Sequence, residues 1–226
     1  MTRLNILFHN YHIMISIAGI KYQNELELLP YFNKNTASIL IGKKGKNLDG
    51  KIARLTRSGY LLVLKKGLYV TNSFYEKTNK DSYSGYIANI LRFPSYISLE
   101  WVLSREGIIP ESVYITTSMT TKTSRVYTNF LGNFTYKNIK KDLFVGYREE
   151  KWEDKRFWLA TRAKALFDFL YLKKLTNIRQ DLHDFRFNWS NIAKKDLDEF
   201  EKYVSLAKSK KMMAVLQALK EARHVS

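Results

Sequence analysis

The stretch NTASILIGKKGKNLDGKIARLTRSGYLLVLKKGLYVT, residues 35–71, decides the fold of the first part of the chain. It predicts a short helix over residues 37–41, capped by Asn35 or Thr36, and then a turn that contains glycine. A basic helix and a two-stranded hairpin are predicted to follow. This order of elements is typical of a winged helix-turn-helix DNA-binding unit.

The two faces of the predicted basic helix differ in their chemistry. Asn47 is the expected N-cap, and Gly59 is expected to end the helix. Between them, apolar residues recur at i, i+4 and i+7 and form a stripe that can pack on the preceding helix: Leu48, Ile52 and Leu55. The other face carries small and cationic residues, namely Gly50, Lys51, Arg54, Arg57 and Ser58. Such a face fits the major groove of a DNA duplex.

Two of these cations are predicted to contact base edges. Lys51 and Arg54 lie within one helical turn of each other, and an arginine can bind O6 and N7 of guanine together. The surrounding cations are predicted to contact phosphates. The complete set of predicted DNA-binding residues is Lys43, Lys44, Lys46, Asn47, Lys51, Arg54, Arg57, Lys65 and Lys66.

The predicted hairpin has a basic tip. Residues 60–64 and 68–71 are rich in β-forming residues, and Lys65, Lys66 and Gly67 form the turn between them. Two lysines at this tip suit a wing that contacts the minor groove or its phosphates. Alternatively, the lysines only keep an exposed turn soluble. Residues 42–66 hold eight Lys or Arg and one Asp, a net charge of +7 in 25 positions, which favours DNA.

The composition of the whole chain points to a polyanionic partner. The 226 residues carry a formal net charge of +17, which favours nucleic acid first and an anionic membrane second. The absence of cysteine excludes disulfides and thiolate metal sites, and it fits a cytoplasmic location. No membrane partner is predicted, because the apolar run at residues 13–20 is too short to span a bilayer.

The first twenty residues are predicted to form an extra segment, a helix that packs on the first domain or on a partner. His9 and His12 have no third ligand nearby, so no metal site is predicted there. Residues 21–32 predict a further helix with three core candidates, Leu26, Leu28 and Leu29.

Residues 72–84 are polar and turn-rich, and they are predicted to link two domains. The first domain, residues 1–80, is the predicted DNA-binding domain. The second, residues 81–226, is predicted to carry an interaction function.

The second domain is predicted to be α+β. Ser98 is expected to cap a helix that ends at Gly107, and Thr161 is expected to cap another. Four strand-like runs cover residues 112–119, 124–130, 134–139 and 143–147, and their short connections favour antiparallel pairing. The tail from Ser190 is predicted to be helical. The chain as a whole is therefore predicted to be α+β, with a small antiparallel sheet and a helical tail in its second domain.

The helical tail contains an apolar stripe with a cationic border. The apolar residues are Met212, Val215, Leu216 and Leu219, and the cations are Lys208, Lys210, Lys211, Lys220 and Arg223. Such a surface suits an acidic protein partner. The alternative interpretation is that the stripe packs on its own domain. The sequence leaves both interpretations open.

Several short segments together resemble the AbiEi family of antitoxins and transcriptional regulators. They lie within residues 30–175 and are KGLY at 66–69, IAN at 87–89, PSYISLE at 94–100, GIIPE at 107–111 and ALFDFLY at 165–171. The resemblance implies an N-terminal winged helix joined to a C-terminal antitoxin domain. It also implies a type IV toxin-antitoxin system in phage defence, in which the protein represses its own promoter and neutralises a cognate nucleotidyltransferase-like toxin.

Only the helix and wing positions carry over from this resemblance to DNA binding, namely Lys51, Arg54, Arg57, Lys65 and Lys66. The PSYISLE and GIIPE segments are interpreted as structural, because proline fixes the backbone and Ser98 is a suitable cap.

Two alternatives belong to other functional classes. Asp142 with Glu153, Asp154 and Lys155 could form the acidic and lysine set of a metal-dependent nuclease, but these residues are more simply explained as a charged, solvated loop. A stand-alone regulator with a ligand-sensing second domain is the other alternative, with Tyr83, Tyr86, Tyr96, Trp101 and Tyr114 as candidate pocket residues. The principal prediction is a protein that is not an enzyme, with no catalytic residue, cofactor or metal.

Overall fold

The computed structural model describes residues 22–225, and the side chains of residues 22–222. Chain contacts divide the protein into two compact units, Met1–Lys80 and Asp81–Ser226. Both units contain helices and strands, so the predicted α+β class is confirmed. The predictions for residues 1–20, including His9 and His12, lie outside the described residues.

The first unit packs helices against a small antiparallel sheet. Its helices are residues 22–27 (α1), Lys34–Ile41 (α2), Gly45–Arg57 (α3) and Asn72–Lys77 (α4). Its strands are Phe32–Asn33 (β1), Leu61–Lys65 (β2) and Leu68–Thr71 (β3), in the spatial order β1-β3-β2. The core joins α1, α2, α3 and the hairpin through Leu26, Phe32, Ala37, Leu48, Ile52, Leu55, Leu61 and Tyr69.

The first helix of the predicted pair begins earlier than expected. Asn33, not Asn35 or Thr36, is the N-cap of α2, and its side-chain oxygen accepts a hydrogen bond from the backbone N–H of Thr36 at 3.0 Å. Asn33 has the extended backbone that an N-cap requires, because it ends β1. Leu28 was predicted to be a core residue, but its side chain is 77% exposed in the turn after α1.

The basic helix also begins earlier than expected. Lys44, not Asn47, is the N-cap of α3, because the first hydrogen bond of the helix runs from the N–H of Leu48 to the carbonyl of Lys44. Asn47 therefore lies inside the first turn with its side chain exposed. The end of the helix agrees with prediction, since Gly59 follows the C-cap with a φ of 75°.

The boundary between the two units falls inside the predicted linker, residues 72–84, but this segment is mostly helical and not turn-rich. These residues form α4 and the start of a long helix, Lys80–Leu91 (α5). Thr71 caps α4 by accepting a hydrogen bond from the N–H of Phe74 at 3.2 Å. Tyr83, in the first half of α5, is fully buried.

The second unit contains a six-stranded sheet with helices. After α5, its helices are Leu99–Arg105 (α6), Arg162–Leu172 (α7), Ile178–Asp184 (α8), Lys194–Ala207 (α9) and Lys210–Val225 (α10). Its strands are Ser95–Ile97 (β4), Thr116–Thr120 (β5), Arg125–Asn129 (β6), Gly132–Asn138 (β7), Tyr147–Trp152 (β8) and Lys155–Ala160 (β9). The spatial order is β6-β7-β5-β4-β9-β8.

The sheet is mixed. The pairs β4–β5, β6–β7 and β8–β9 are antiparallel, and among them β6–β7 is the pair that the short connections predicted. The pair β5–β7 is parallel, because the β6–β7 hairpin folds back so that β7 lies between β6 and β5. The pair β4–β9 is also parallel. The predicted strand at 143–147 is wrong: a short 3-10 helix ends at Leu143, and β8 begins at Tyr147.

The apolar stripe of the tail packs within the second unit. Met212, Val215 and Leu219 are fully buried, which decides between the two interpretations of this stripe. Lys211 does not point to a partner, because its amine donates hydrogen bonds to the carbonyls of Leu170, Tyr171 and Lys173 at 2.7–3.0 Å. Helix α8 was not predicted.

A buried ion pair lies in the core of the second unit. The amine of Lys164 is 2.7 Å from the carboxylate of Asp168, and both side chains are fully buried. Ser98 and Tyr96 donate hydrogen bonds to the same carboxylate at 2.7 and 3.0 Å. Burial raises the pKa of the Asp168 carboxyl and lowers the pKa of the Lys164 amine. Ser98 precedes α6 as predicted, but its side chain bonds to Asp168 and not to the helix.

Candidate nucleic-acid interface

Helix α3 is held by one face and exposes the other. Leu48, Ile52 and Leu55 are at most 9% exposed and pack in the core of the first unit. The intervening residues are exposed: Lys46, Asn47, Asp49, Gly50, Ala53, Arg54 and Arg57. Burial of the three apolar side chains contributes on the order of 1.5–3 kcal/mol each, so the orientation of α3 is strongly determined. Its polar face is therefore presented to solvent.

The predicted DNA-binding residues occupy three adjoining segments. Lys43 and Lys44 lie in the α2–α3 turn, five residues lie in α3, and Lys65 and Lys66 lie at the hairpin, whose strand β2 packs against α3. Seven of the nine are exposed: Lys43, Lys44, Lys46, Asn47, Arg54, Arg57 and Lys66. Lys51 and Lys65 are half-buried. Six of these seven residues are Lys or Arg. Within the described part of the chain, no carboxylate lies within 4.0 Å of any of these six side chains.

The N-terminus of α3 is suited to an anion. No side chain among the described residues caps this end, and the first turn contains no acidic residue. Its unpaired N–H groups and the helix dipole favour a negative charge nearby. Lys43, Lys44 and Lys46 surround this helix end in sequence and are all exposed. Backbone N–H groups together with lysines are a common arrangement for holding a DNA phosphate.

The acidic residue of α3 is neutralised by the preceding helix. The carboxylate of Asp49 lies 2.6 Å from the amine of Lys34 in α2. The hydrogen bond and the charge of Asp49 raise the pKa of Lys34. Both groups are well exposed, so the pair adds little to stability. Its consequence is electrostatic: the exposed face of α3 is left without an uncompensated negative charge.

The structure separates the two cations that were predicted to contact bases. The amine of Lys51 lies over the ring of Tyr22, 5.7 Å from its centroid, and the residue is half-buried. Arg54 is exposed, and its Nε–H donates a long hydrogen bond of 3.4 Å to the carbonyl of Gly50. Asn47, Gly50 and Arg54 are spaced i, i+3 and i+7 and share one face of the helix. Arg54 and Asn47 are therefore better placed than Lys51 to contact bases.

The tip of the hairpin is tighter than predicted. Lys65 is the last residue of β2 and pairs with Leu68, so the turn consists of Lys66 and Gly67. Gly67 has a φ of 80°, a conformation that a residue with a side chain adopts only with strain. Lys66 is exposed at this tip, which leaves its amine available to a phosphate.

Sequence reasoning missed two contacts that shape this surface. The Lys34–Asp49 pair joins two helices across 15 positions, and helix spacing rules describe only pairs three or four residues apart. The Tyr22–Lys51 contact joins α1 to α3 and likewise has no local signal. Asp49 was identifiable only as the single acid of residues 42–66.

Comparisons with known proteins do not assign a family. A scan against protein-family models finds no match, and a search of curated proteins finds no similar sequence. The resemblance to the AbiEi family therefore stays a prediction.

The structure also bears on the alternatives. Among the described residues, no group of three His, Asp or Glu side chains is arranged to hold a metal ion. Glu153 and Asp154 form the turn of the β8–β9 hairpin, so the predicted charged loop is in fact a pair of strands and their turn, with exposed charged residues on one side and buried apolar residues on the other. Over residues 22–225, no helix is both long and apolar enough to cross a bilayer.

The tyrosines proposed to line a pocket are placed differently. Tyr83, Tyr86 and Tyr96 are buried in the core of the second unit, where Tyr83 and Tyr86 each pack on Trp152 with ring centroids 5.1 Å apart. Tyr114 is 90% exposed. These residues are spread between core and surface, so they do not define one ligand cavity.

Proposed function

We propose that the first unit is a winged helix-turn-helix that binds double-stranded DNA at the promoter of its own gene and represses it. The observation that supports this proposal is the exposed face of α3, whose cations have no carboxylate partner among the described residues, beside a hairpin with a lysine at its tip. In this proposal α3 is the recognition helix, α2 supports it, and β2 and β3 form the wing.

Helix α3 would enter the major groove with Asn47 and Arg54 toward the bases. Their separation of seven positions corresponds to about 10 Å along the helix axis, or about three base pairs. Arginine can pair with guanine and asparagine with adenine through two hydrogen bonds each. Gly50 lies between them and has no heavy atom within 4 Å of the position that a Cβ would take, so the groove floor can approach the backbone.

The remaining cations would hold the DNA backbone. Lys43, Lys44 and Lys46 would each contact a phosphate around the N-terminus of α3, and Arg57 another near its C-terminus. Lys66, with Lys65 behind it, would contact the minor groove or its phosphates from the wing. These contacts carry no sequence information themselves, but they set the position from which Asn47 and Arg54 meet the bases.

For the second unit we propose an antitoxin function, which neutralises a nucleotidyltransferase-like toxin encoded beside this gene. The support is the sequence resemblance of PSYISLE, GIIPE and ALFDFLY to the AbiEi family. In the structure, Tyr96, Ser98 and Asp168 of these segments meet in one buried hydrogen-bonded cluster, which suits a structural role. On this proposal the protein acts in the cytoplasm by binding and not by catalysis.

DNA binding is tested by fluorescence anisotropy with labelled promoter DNA and a shuffled duplex of equal length. We expect preference for the promoter, and we expect Asn47→Ala and Arg54→Ala to reduce that preference. Arg105→Ala is the matched control, because Arg105 is an exposed arginine of the second unit that contacts Trp101. Equal affinity for both duplexes, or unchanged preference in both α3 variants, would refute the proposed recognition role.

The antitoxin function is tested by co-expression with the product of the adjacent gene. Growth rescue by the protein and by its Arg54→Ala variant supports neutralisation that does not require promoter recognition. Growth arrest in the presence of the protein would contradict the antitoxin function and favour a stand-alone regulator.

A further inference from the structure

A groove of about 700 Å³ lies in the second unit between α8 and α10. Helix α8 and the residues after it contribute Arg179, Leu182 and Arg186 to its lining, and α10 contributes Ala218 and Ala222. Because α10 offers only methyl groups at these two positions, the side chains of residues 22–222 leave the space between the helices unfilled. The volume falls within the range of roughly 300–1,000 Å³ that is typical of small-molecule sites.

The floor of the groove is apolar and aromatic. Leu182, Phe187 and Ala218 line it and are at most 7% exposed, so their positions are fixed by the packing beneath them. Trp189 also lines the groove and meets Phe187 edge to face, with ring centroids 6.0 Å apart and planes at 80°. Two aromatic rings in this arrangement offer a flat ring both a face and an edge.

The rim of the groove carries two arginines and a histidine. Arg179, His183 and Arg186 line it on the α8 side, and Glu221 is the carboxylate among the described lining residues. The imidazole of His183 lies 3.5 Å from the carboxylate of Asp184. The guanidinium of Arg179 forms an ion pair with the carboxylate of Glu221 at 2.9 Å, and the guanidinium of Arg186 forms one with Glu111 at 2.8 Å. All four rim side chains are at least 45% exposed, so an entering anion can compete for the arginines.

The backbone supports this placement of Arg186. Its φ is 49°, a left-handed conformation that a residue with a side chain seldom adopts. The N–H of Arg186 bonds to the carbonyl of His183, and the N–H of Asn188 bonds to the carbonyl of Ile108 at 2.8 Å. These bonds hold the sharp turn after α8 that brings both Arg186 and Phe187 to the groove.

We propose that this groove binds a small aromatic carboxylate. Its ring would lie on Phe187, Trp189 and Ala218, and its carboxylate would pair with Arg179 or Arg186 at the rim. Each rim arginine has five N–H donors, and its present carboxylate partner uses only some of them, so both arginines can still bind an added carboxylate. The alanines leave room for the ring. The proposal does not depend on DNA binding by the first unit.

The test uses the full chain and 2-naphthoate as the probe, with 2-naphthylmethylammonium as the cation of matched shape. Binding is followed by NMR of the tryptophan indole N–H groups, of which the chain has four, with Trp189→Phe identifying the signal of Trp189. Ala222→Leu fills the groove. Its matched control is Ala214→Leu, at an exposed position of the same helix. Arg179→Gln, at the surface, tests the charge without disturbing the packing.

We expect 2-naphthoate to shift the Trp189 signal and to bind about tenfold more tightly than the cation, because a charge-assisted hydrogen bond is lost with the latter. Ala222→Leu should abolish the shift, Ala214→Leu should preserve it, and Arg179→Gln should weaken binding. Three results would overturn the proposal: no Trp189 shift up to about 5 mM probe, equal affinity for both probes, or wild-type binding by Ala222→Leu. A concentration-dependent dimer that 2-naphthoate dissociates would also overturn it, since a second copy of the chain would then fill the groove.

Discussion

Replacing Lys43, Lys44 and Lys46 together by glutamine should flatten the salt dependence of DNA binding. These three exposed lysines surround the uncapped end of α3, and with Arg57 and the wing lysines they account for roughly six to eight neutralised phosphates. The logarithm of the affinity should therefore fall against the logarithm of the salt concentration with a slope of about −5 to −7. Removing three contacts should reduce that slope by about 2.7.

In measurable terms, raising salt from about 50 to about 200 mM should weaken the wild-type complex about 10³- to 10⁴-fold, but the triple variant only about 10²-fold. Fluorescence anisotropy titrations at four or five salt concentrations give both slopes. The matched control is Lys194, Lys195 and Lys202 together replaced by glutamine, because these lysines are exposed on α9 of the second unit and their removal changes the net charge equally.

The control separates a local contact from the charge of the whole protein. We expect the control triple variant to keep the wild-type slope. Equal slopes for the two triple variants, or a wild-type slope shallower than about −2, would refute the assignment of the α3 end as a phosphate site.

Three further predictions follow from the same structure. Arg54→Ala should cost about 1–3 kcal/mol of discrimination between promoter and random DNA, while Lys65→Ala and Lys66→Ala should weaken binding to both alike; competition anisotropy checks this. Asp168→Ala should lower the free energy of unfolding by about 3–5 kcal/mol, because it leaves the Lys164 amine buried without its partner. Urea denaturation measures that loss, and Lys164→Met combined with Asp168→Leu should regain part of it. Co-expression with the adjacent gene product should permit growth, and plating efficiency under induction is the measurement.

The features that sequence predicted well are those with short-range causes. The burial of Leu48, Ile52 and Leu55 follows from helical periodicity, and the hairpin turn follows from Lys66 and Gly67. The predicted starts of α2 and α3 were wrong, because residue preference alone does not determine where the first hydrogen bond of a helix forms. Residue preference favoured an asparagine as the cap of α3, but the N–H of Leu48 bonds to Lys44, a residue with no preference for that position.

The features that sequence missed depend on distant partners. Parallel pairing of β5 with β7 results from the position of the whole β6–β7 hairpin, which strand spacing does not encode. In the candidate interface, the cations were identifiable from composition, but their separate environments were not. Lys51 lies against Tyr22 and Arg54 does not, because the fold brings α1 beside α3.

The pairing of β4 with β9 has a consequence for biosynthesis. Ile97 pairs with Leu159, so the central part of the second sheet cannot close until the chain has grown past residue 160. The helices and strands of the first unit, in contrast, are complete by residue 77. At about 5–20 residues per second, the ribosome needs about 4–16 s to add the intervening segment. Any translation product that ends in this interval would carry helix α3 without a finished second unit. If the proposed functions hold, such a product would bind the promoter while offering no protection from the toxin.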